Sequence, residues 1–130
     1  MSAAFFEILA VNVISRAARD MASVDGASLS DTIDAAMWVL GDDMEEGSFR
    51  WWCALGGLDA DRARESVLRY CVKHRNTSSD MRNACSRILS GELTPQEAAK
   101  MFSVHTTDEV CSKLMYSQME MEALWDLPSL

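Results

Sequence analysis

The chain has 130 residues, of which 48% are hydrophobic and 25% are charged, and its formal net charge at pH 7 is −8. That length fits one domain with a single core, and the composition excludes a collagen, a disulfide-rich miniprotein and a low-complexity chain. Prolines and glycines are few, which favours long helices over strands and tight turns. We therefore expect an all-α fold, a compact bundle of about six helices in one domain over residues 1–130.

The first predicted helix covers residues 3–22. No basic leader precedes its apolar run, and Glu7 and Asn12 interrupt it, so we expect a buried helix rather than a signal peptide or a membrane span. The protein would then be soluble and cytoplasmic, with no membrane partner, and a homodimer formed through this helix remains open. The apolar residues that recur at helical spacing are Phe5, Ile8, Leu9, Val13 and Ile14.

Two shorter helices follow, and each is preceded by a serine that can cap it. After the second of these serines, Ser48, a short helix contains Trp51 and Trp52. An acidic loop over residues 41–47 separates the two helices, so residues 1–58 form an acidic, aromatic-rich half of the domain. The first serine is Ser28, and its helix is expected to carry inward Ile33, Met37, Trp38 and Leu40.

The second half of the domain, residues 59–130, begins with basic helices. Asp59 is the expected cap of a helix over 60–74, and a further helix over 80–89 is expected to end at Gly91, which tolerates a left-handed turn. Thr94-Pro95-Gln96-Glu97 has the spacing of a capping box, in which each end residue's side chain accepts from the other's backbone N–H. Proline at the first helical position suits such a start.

A helix-turn-helix-like corner is predicted at the C-terminal end. A turn over 103–105 joins the helix that starts after Thr94 to a second helix over 106–125. The second helix opens with Asp108 and Glu109 in its first turn, and DNA phosphates repel carboxylates. We expect these two helices to form the corner. Because of the carboxylates, we favour a corner that packs within the protein over one whose second helix contacts DNA bases.

Charge is distributed in three blocks, with −8 over residues 1–61, +5 over 62–87 and −5 over 88–130. Cations on two consecutive helices can bind phosphates by releasing counterions, without base contacts. Alternatively, these cations pair with the acidic flanks inside the fold, and the sequence leaves both interpretations open. The candidate nucleic-acid-binding residues are Arg62, Arg64, Arg69, Lys73, Arg75 and Arg82.

A second candidate surface combines the acidic loop with the two adjacent tryptophans. Exposed tryptophan is enriched in interface hot spots, so the candidate partner-binding residues are Trp51, Trp52, Asp42 and Asp43. Adjacent tryptophans on a helix also fit an ordinary core in which one ring is half-buried.

The sequence contains no motif of catalysis or metal binding. The carboxylates of residues 42–46 have neither a nearby histidine nor calcium-loop spacing, and no nucleophile elbow or glycine-rich phosphate loop occurs. The four cysteines contain no CxxC pair, and the spacing of Cys71 and His74 supplies only half of a zinc site. We therefore expect a protein that is not an enzyme and has no metal, cofactor or disulfide.

The stretch AAMWVLGDDMEEGSFRWWCALGGLDADRAR resembles a pattern found in small helical proteins of phages and phage-like bacterial elements. That pattern has a tryptophan-led helix, an acidic loop, a phenylalanine before a cysteine-bearing helix, and Gly-Leu-Asp before an arginine. The tail separately resembles helix-turn-helix regulators, and together the two resemblances imply a phage-type regulator of transcription or another DNA-associated protein. The matching positions are Trp38, Asp42, Asp43, Phe49, Cys53, Gly57, Leu58, Asp59 and Arg62.

Two hypotheses of function follow, beside a third possibility in which the chain is a structural subunit that dimerises through its apolar first helix. The leading one is a non-enzymatic, transcription-associated regulatory protein that binds duplex DNA through the basic central segment or contacts a DNA-bound protein. The alternative is a phage-encoded acidic inhibitor or adaptor, of the anti-defence or nucleic-acid-mimic type, whose acidic faces bind a basic protein partner. Whether the basic residues are free at the surface separates the two hypotheses.

Overall fold

The computed structural model describes residues 3–103, and every regular element within them is a helix. A sixth helix, α6, is described over 95–103. The expected all-α bundle of about six helices is confirmed. The five helices that precede α6 are α1 (Ala3–Met21), α2 (Leu29–Leu40), α3 (Phe49–Leu55), α4 (Ala60–Lys73) and α5 (Ser79–Leu89).

Each helix after α1 begins at a side chain that caps it. The predicted capping box starts α6, because Glu97 N donates to Thr94 Oγ1 at 3.1 Å and Thr94 N donates to Glu97 Oε1 at 2.9 Å. Caps satisfy first-turn N–H groups that would otherwise lack partners, so they fix where each helix starts. In α2 to α5 the capping oxygen accepts from the N–H three residues on, and the caps are Ser28, Ser48, Asp59 and Ser78.

α1 lies at the centre of the bundle and contacts α2, α3 and α4. Of the large apolar residues predicted to form the buried face of α1, only Ile14 is buried. Phe5 is 44% exposed and Ile8 is 63% exposed. The reason is close packing, since short side chains let three neighbouring helices approach one helix at the same time. The buried face of α1 therefore consists mostly of small residues and comprises Ala10, Ile14, Ala17, Ala18 and Met21.

The core extends from α1 into α4 and α5, which pack against each other. From α3, Phe49 enters the same cluster and is 1% exposed. The turn after α5 ends at Gly91 with φ +86°, the left-handed conformation expected of a residue that stops a helix. The core residues from α4 and α5 are Val67, Leu68, Cys71, Met81 and Cys85.

Two predictions from the sequence concern a membrane span and the C-terminal corner. None of the helices within residues 3–103 is both long enough and apolar enough to cross a membrane. In the predicted helix-turn-helix-like corner, the turn beyond Ser103 and the second helix over 106–125 lie outside the described residues.

Gly56, directly after α3, marks a very close approach of α3 to α1. A Cβ added at Gly56 would lie 2.5 Å from the Cβ of Ala10 and 3.3 Å from the carbonyl oxygen of Phe6. Carbon atoms in a packed interior do not come this close, so a larger residue would have to move one helix. The pair Gly56 and Ala10 thus sets the spacing of α1 and α3.

We predict that Gly56→Ala lowers the free energy of unfolding by about 1–3 kcal/mol, because the new methyl group overpacks the α1–α3 contact. Urea denaturation measures this loss. Ala10→Gly removes the methyl group that the new Cβ would strike. The double variant should therefore be more stable than the sum of the two single effects predicts. Simple additivity of the two substitutions would contradict the close contact.

Candidate functional site

Arg64 lies on the inward face of α4 and its side chain is only 7% exposed. Its guanidinium donates from Nε to the carbonyl oxygen of Val39 at 2.9 Å and from Nη2 to that of Gly41 at 2.7 Å. These carbonyls belong to the end of α2, where backbone oxygens lack helical partners and the helix dipole favours a cation. The guanidinium also lies over the ring of Phe49, 5.5 Å from its centre. Arg64 therefore acts as a C-terminal cap of α2.

Asp42 connects Arg64 to the rest of the acidic loop. Its carboxylate accepts from Arg64 at 3.3 Å, from Arg50 at 3.0 Å, and from the side-chain amide of Gln96. Arg50 also reaches Asp61, at 3.3 Å. Burial opposes ionisation of Asp42, but the hydrogen bonds and charges of the two arginines outweigh it, so its pKa lies below the ordinary value. The loop is thus tied to α3, α4 and α6.

The remaining carboxylates of the acidic loop face solvent. Asp43 uses one carboxylate oxygen to accept from the backbone N–H of Glu45 at 3.2 Å, and its carbonyl accepts from the Ser48 hydroxyl at 3.0 Å. Glu45 and Glu46 are exposed, as is Met44 at 59%. Hydrogen bonds therefore hold the acidic loop in a defined conformation. The Asp42 carboxylate faces two arginines, and the Asp43 carboxylate accepts a hydrogen bond from the loop backbone.

Arg82 repeats the role of Arg64 at the end of another helix. It donates from Nε to the carbonyl oxygen of Val72 at 3.2 Å and from Nη2 to that of His74 at 2.8 Å. These oxygens lie at the C-terminal end of α4, so Arg82 joins α5 to α4. Two of the six predicted nucleic-acid-binding residues, Arg64 and Arg82, are therefore engaged with backbone oxygens inside the protein.

The other four predicted cations are exposed. Arg62, Arg69 and Lys73 follow one another at spacings of seven and four residues, which places them on one face of α4. Arg75 follows directly after the C-cap. Arg69 pairs with Glu65 at 2.7 Å, whereas the other three make no ion pair with any residue between 3 and 103. We call these four residues the outer basic stripe.

The tryptophans predicted to bind a partner are half-buried. Trp51 and Trp52 pack edge to face, with ring centres 5.2 Å apart. Trp38 donates from its indole N–H to the carbonyl oxygen of Gly47 at 2.9 Å and packs edge to face on Phe49. These aromatic side chains thus pack against one another, and the rings of Trp51 and Trp52 remain partly exposed to solvent.

Three cysteines are buried as free thiols. Burial raises the pKa of Cys53, and a hydrogen bond with Cys71 together with burial raises that of Cys85. The thiols of Cys53 and Cys85 therefore stay protonated, and so unreactive, at neutral pH. His74, which the sequence pairs with Cys71, is instead the C-cap of α4. Within residues 3–103, no group of three or more His, Cys, Asp or Glu side chains is arranged to hold a metal ion.

Sequence reasoning missed the residues that join the loop to its neighbours, Arg50 and Gln96. Gln96 lies 54 positions from Asp42, and no local pattern reports so distant a contact. The inward direction of Arg64 did leave a signal in the sequence, because Arg64 shares a helical face with Val67, Leu68 and Cys71.

Comparisons of this chain with protein-family models, with curated proteins and with solved structures found no match.

We predict that Asp42→Asn flattens the fall in stability at acid pH. The folded pKa of Asp42 lies below its ordinary value of 3.8, so its contribution is present above 3.8 and is lost as the pH falls through the lower folded pKa. Urea denaturation should show a variant less stable than the natural chain at about pH 7, with the difference shrinking as the pH falls below the ordinary pKa of 3.8.

The matched control for this prediction is Asp43→Asn, which removes the neighbouring carboxylate. Among the described residues, the Asp43 carboxylate pairs with no arginine, and its one hydrogen bond is accepted from the backbone N–H of Glu45. The control should therefore lower the free energy of unfolding at about pH 7 less than Asp42→Asn does. Equal effects of the two substitutions would contradict the arrangement around Asp42.

Proposed function

We propose that this protein is a non-enzymatic regulatory protein associated with transcription, which contacts the phosphates of duplex DNA through the outer basic stripe. The proposal narrows the six cations of the basic segment to Arg62, Arg69, Lys73 and Arg75. It assigns no role in DNA contact to Arg64 or Arg82, because their donors are already used by backbone oxygens.

The observation that carries the proposal is the exposure of four cations, three on α4 and one directly after its C-cap, in a protein of net charge −8. Arg62 and Lys73 are eleven positions apart, about 16 Å along the axis at about 1.5 Å per residue. Duplex DNA carries about one negative charge per 1.7 Å of its axis, so a stripe of this length meets several phosphates. Cations without internal partners lose no ion pair when they bind a phosphate.

The pairing of Arg69 with Glu65 does not remove Arg69 from the stripe. Both side chains are at least half exposed, and exposed pairs of this kind contribute little, about 0–1 kcal/mol. A phosphate can therefore replace the carboxylate at small cost. Contacts of this type position a protein on DNA without reading the bases. We accordingly propose weak binding that depends on salt and tolerates many sequences.

We predict that a fluorescein-labelled duplex binds the full chain at low salt, with a slope of about −3 in a plot of log K against log salt concentration. Replacing both Arg62 and Lys73 by glutamine should weaken binding and make the slope shallower by about 2, because two released counterions are lost. Fluorescence anisotropy over a series of NaCl concentrations measures both quantities.

The matched control makes the same change of charge elsewhere, by replacing Arg16 and Lys100 with glutamine. Both residues are exposed and lie on other helices, α1 and α6. The control should keep the original slope. No binding at low salt would refute the proposal. Equal losses in the two double variants would also refute it, because net charge alone would then account for them.

An acidic inhibitor or adaptor is the second candidate function, and the shape of the acidic loop favours it. Asp43, Glu45 and Glu46 are exposed on a loop that hydrogen bonds hold in place. Half-buried Trp51 and Trp52 follow at the start of α3, and such rings suit an interface anchor. Passage of the chain through a heparin column without retention, together with capture by a basic protein partner, would favour this candidate over the first.

A further inference from the structure

An open groove runs between α1 and α4, on the side of α4 next to the outer basic stripe. It has a volume of about 390 Å³. The α1 wall includes Val11 and Ile14, and the α4 wall includes Ala63, Val67 and Tyr70. The groove is therefore a mostly apolar channel between two helices, the kind of surface that accepts a third helix in helix-in-groove recognition.

Large apolar side chains continue this surface towards the N-terminal end of α1. Val11 is 44% exposed and Tyr70 is 36% exposed. Ile8, which lies one turn before Val11 on the same side of α1, is 63% exposed. The apolar face extends from Ile8 to the groove wall at Ala18, about 15 Å along the helix at about 1.5 Å per residue. This length matches nearly three turns of a partner helix.

The charges along the rim decide what kind of helix fits. Arg62 and Lys73 lie one turn from the lining residues Ser66 and Tyr70 on α4, and neither has an ion-pair partner within residues 3–103. On the α1 side, Arg19 lines the groove but is neutralised by Asp25 at 2.9 Å. The charged side chains of α4 beside the groove that lack an ion pair within the described part of the chain are therefore positive, although the whole chain is acidic. The exposed carboxylates of Glu7 and Asp59 lie beyond them, before the apolar face of α1 and before the first residue of α4.

This positive rim argues against a second copy of the chain as the occupant. In a two-fold symmetric dimer the same patch meets itself, so Arg62 and Lys73 of each copy would be brought towards those of the other. Like charges placed close together at an interface disfavour that pairing. A ligand with negative charge along one side and apolar residues along the other meets both features of the site.

We propose that the groove between α1 and α4 binds an acidic amphipathic helix of a protein partner. Its apolar residues, at helical spacing, lie against Val11, Ala63 and Tyr70, and its carboxylates face Arg62 and Lys73. The groove is a binding site for protein and does not depend on DNA contact by the outer basic stripe. It adds a partner of defined chemistry to the proposed regulatory function.

The probe for this site is a labelled peptide of about 18 residues, long enough to form a helix. It carries leucines at helical spacing and glutamates on one flank, and a counterpart carries lysines in place of the glutamates. In fluorescence anisotropy with the full chain, the acidic peptide should bind at least about tenfold more tightly than the basic one. Equal affinity of the two peptides, or no binding of either, would overturn the proposal.

Two variants place the peptide in the groove. Val11→Glu adds a carboxylate to the apolar wall, and Tyr70→Ala removes an aromatic contact, so each should weaken binding of the acidic peptide about tenfold. Both side chains are partly exposed, and thermal unfolding verifies that the variants fold. The matched control is Leu29→Glu, at a residue of similar exposure on α2, which should leave the affinity unchanged.

The remaining results each contradict the proposal. Binding that neither groove variant weakens more than Leu29→Glu does would place the peptide elsewhere on the protein. Sedimentation equilibrium tests whether a second copy of the chain occupies the groove instead. A dimer of the full chain that Val11→Glu converts to a monomer would assign the groove to a second copy and overturn the proposal.

Discussion

The burial of Arg64 is the constraint on which the rest of this structure depends. A guanidinium with so little contact with water must have its donors satisfied inside the protein, because an unpaired buried charge is costly. The end of α2 supplies two carbonyl oxygens and Asp42 supplies a carboxylate. The same contacts hold the acidic loop against α4. One side chain thereby fixes the end of α2, the path of the loop and the rotation of α4 about its axis.

That rotation determines which cations of α4 can meet an outside ligand. With Arg64 inward, the opposite side of the helix presents Arg62, Arg69 and Lys73 to solvent, and the flank towards α1 becomes one wall of the apolar groove. The proposed DNA-contacting stripe and the proposed protein-binding groove share Arg62 and Lys73. Under these two proposals, a duplex and an acidic helix would compete for the same two cations.

Much of the local structure could be predicted from the sequence, because helix starts depend on residues close together in the chain. The caps at Ser28, Ser48 and Asp59 are examples. The direction in which a side chain faces in the folded protein is harder to predict. The sign of a charge does not say which way the side chain faces, so the sequence places Arg64 and Arg62 in one candidate set although Arg64 is buried and Arg62 is exposed. The groove was missed for a related reason, since its walls come from helices far apart in sequence.

The most direct test compares the unfolding free energies of Arg64→Met and Arg62→Met. The two substitutions remove the same group two positions apart on one helix. We predict that Arg64→Met lowers the free energy of unfolding by about 2–4 kcal/mol, because carbonyl oxygens of α2 and the Asp42 carboxylate lose a charged donor. Arg62→Met should stay within about 0.5 kcal/mol of the natural chain. Equal stability of the two variants would contradict the inward role of Arg64 and the division of α4 into an inner and an outer face.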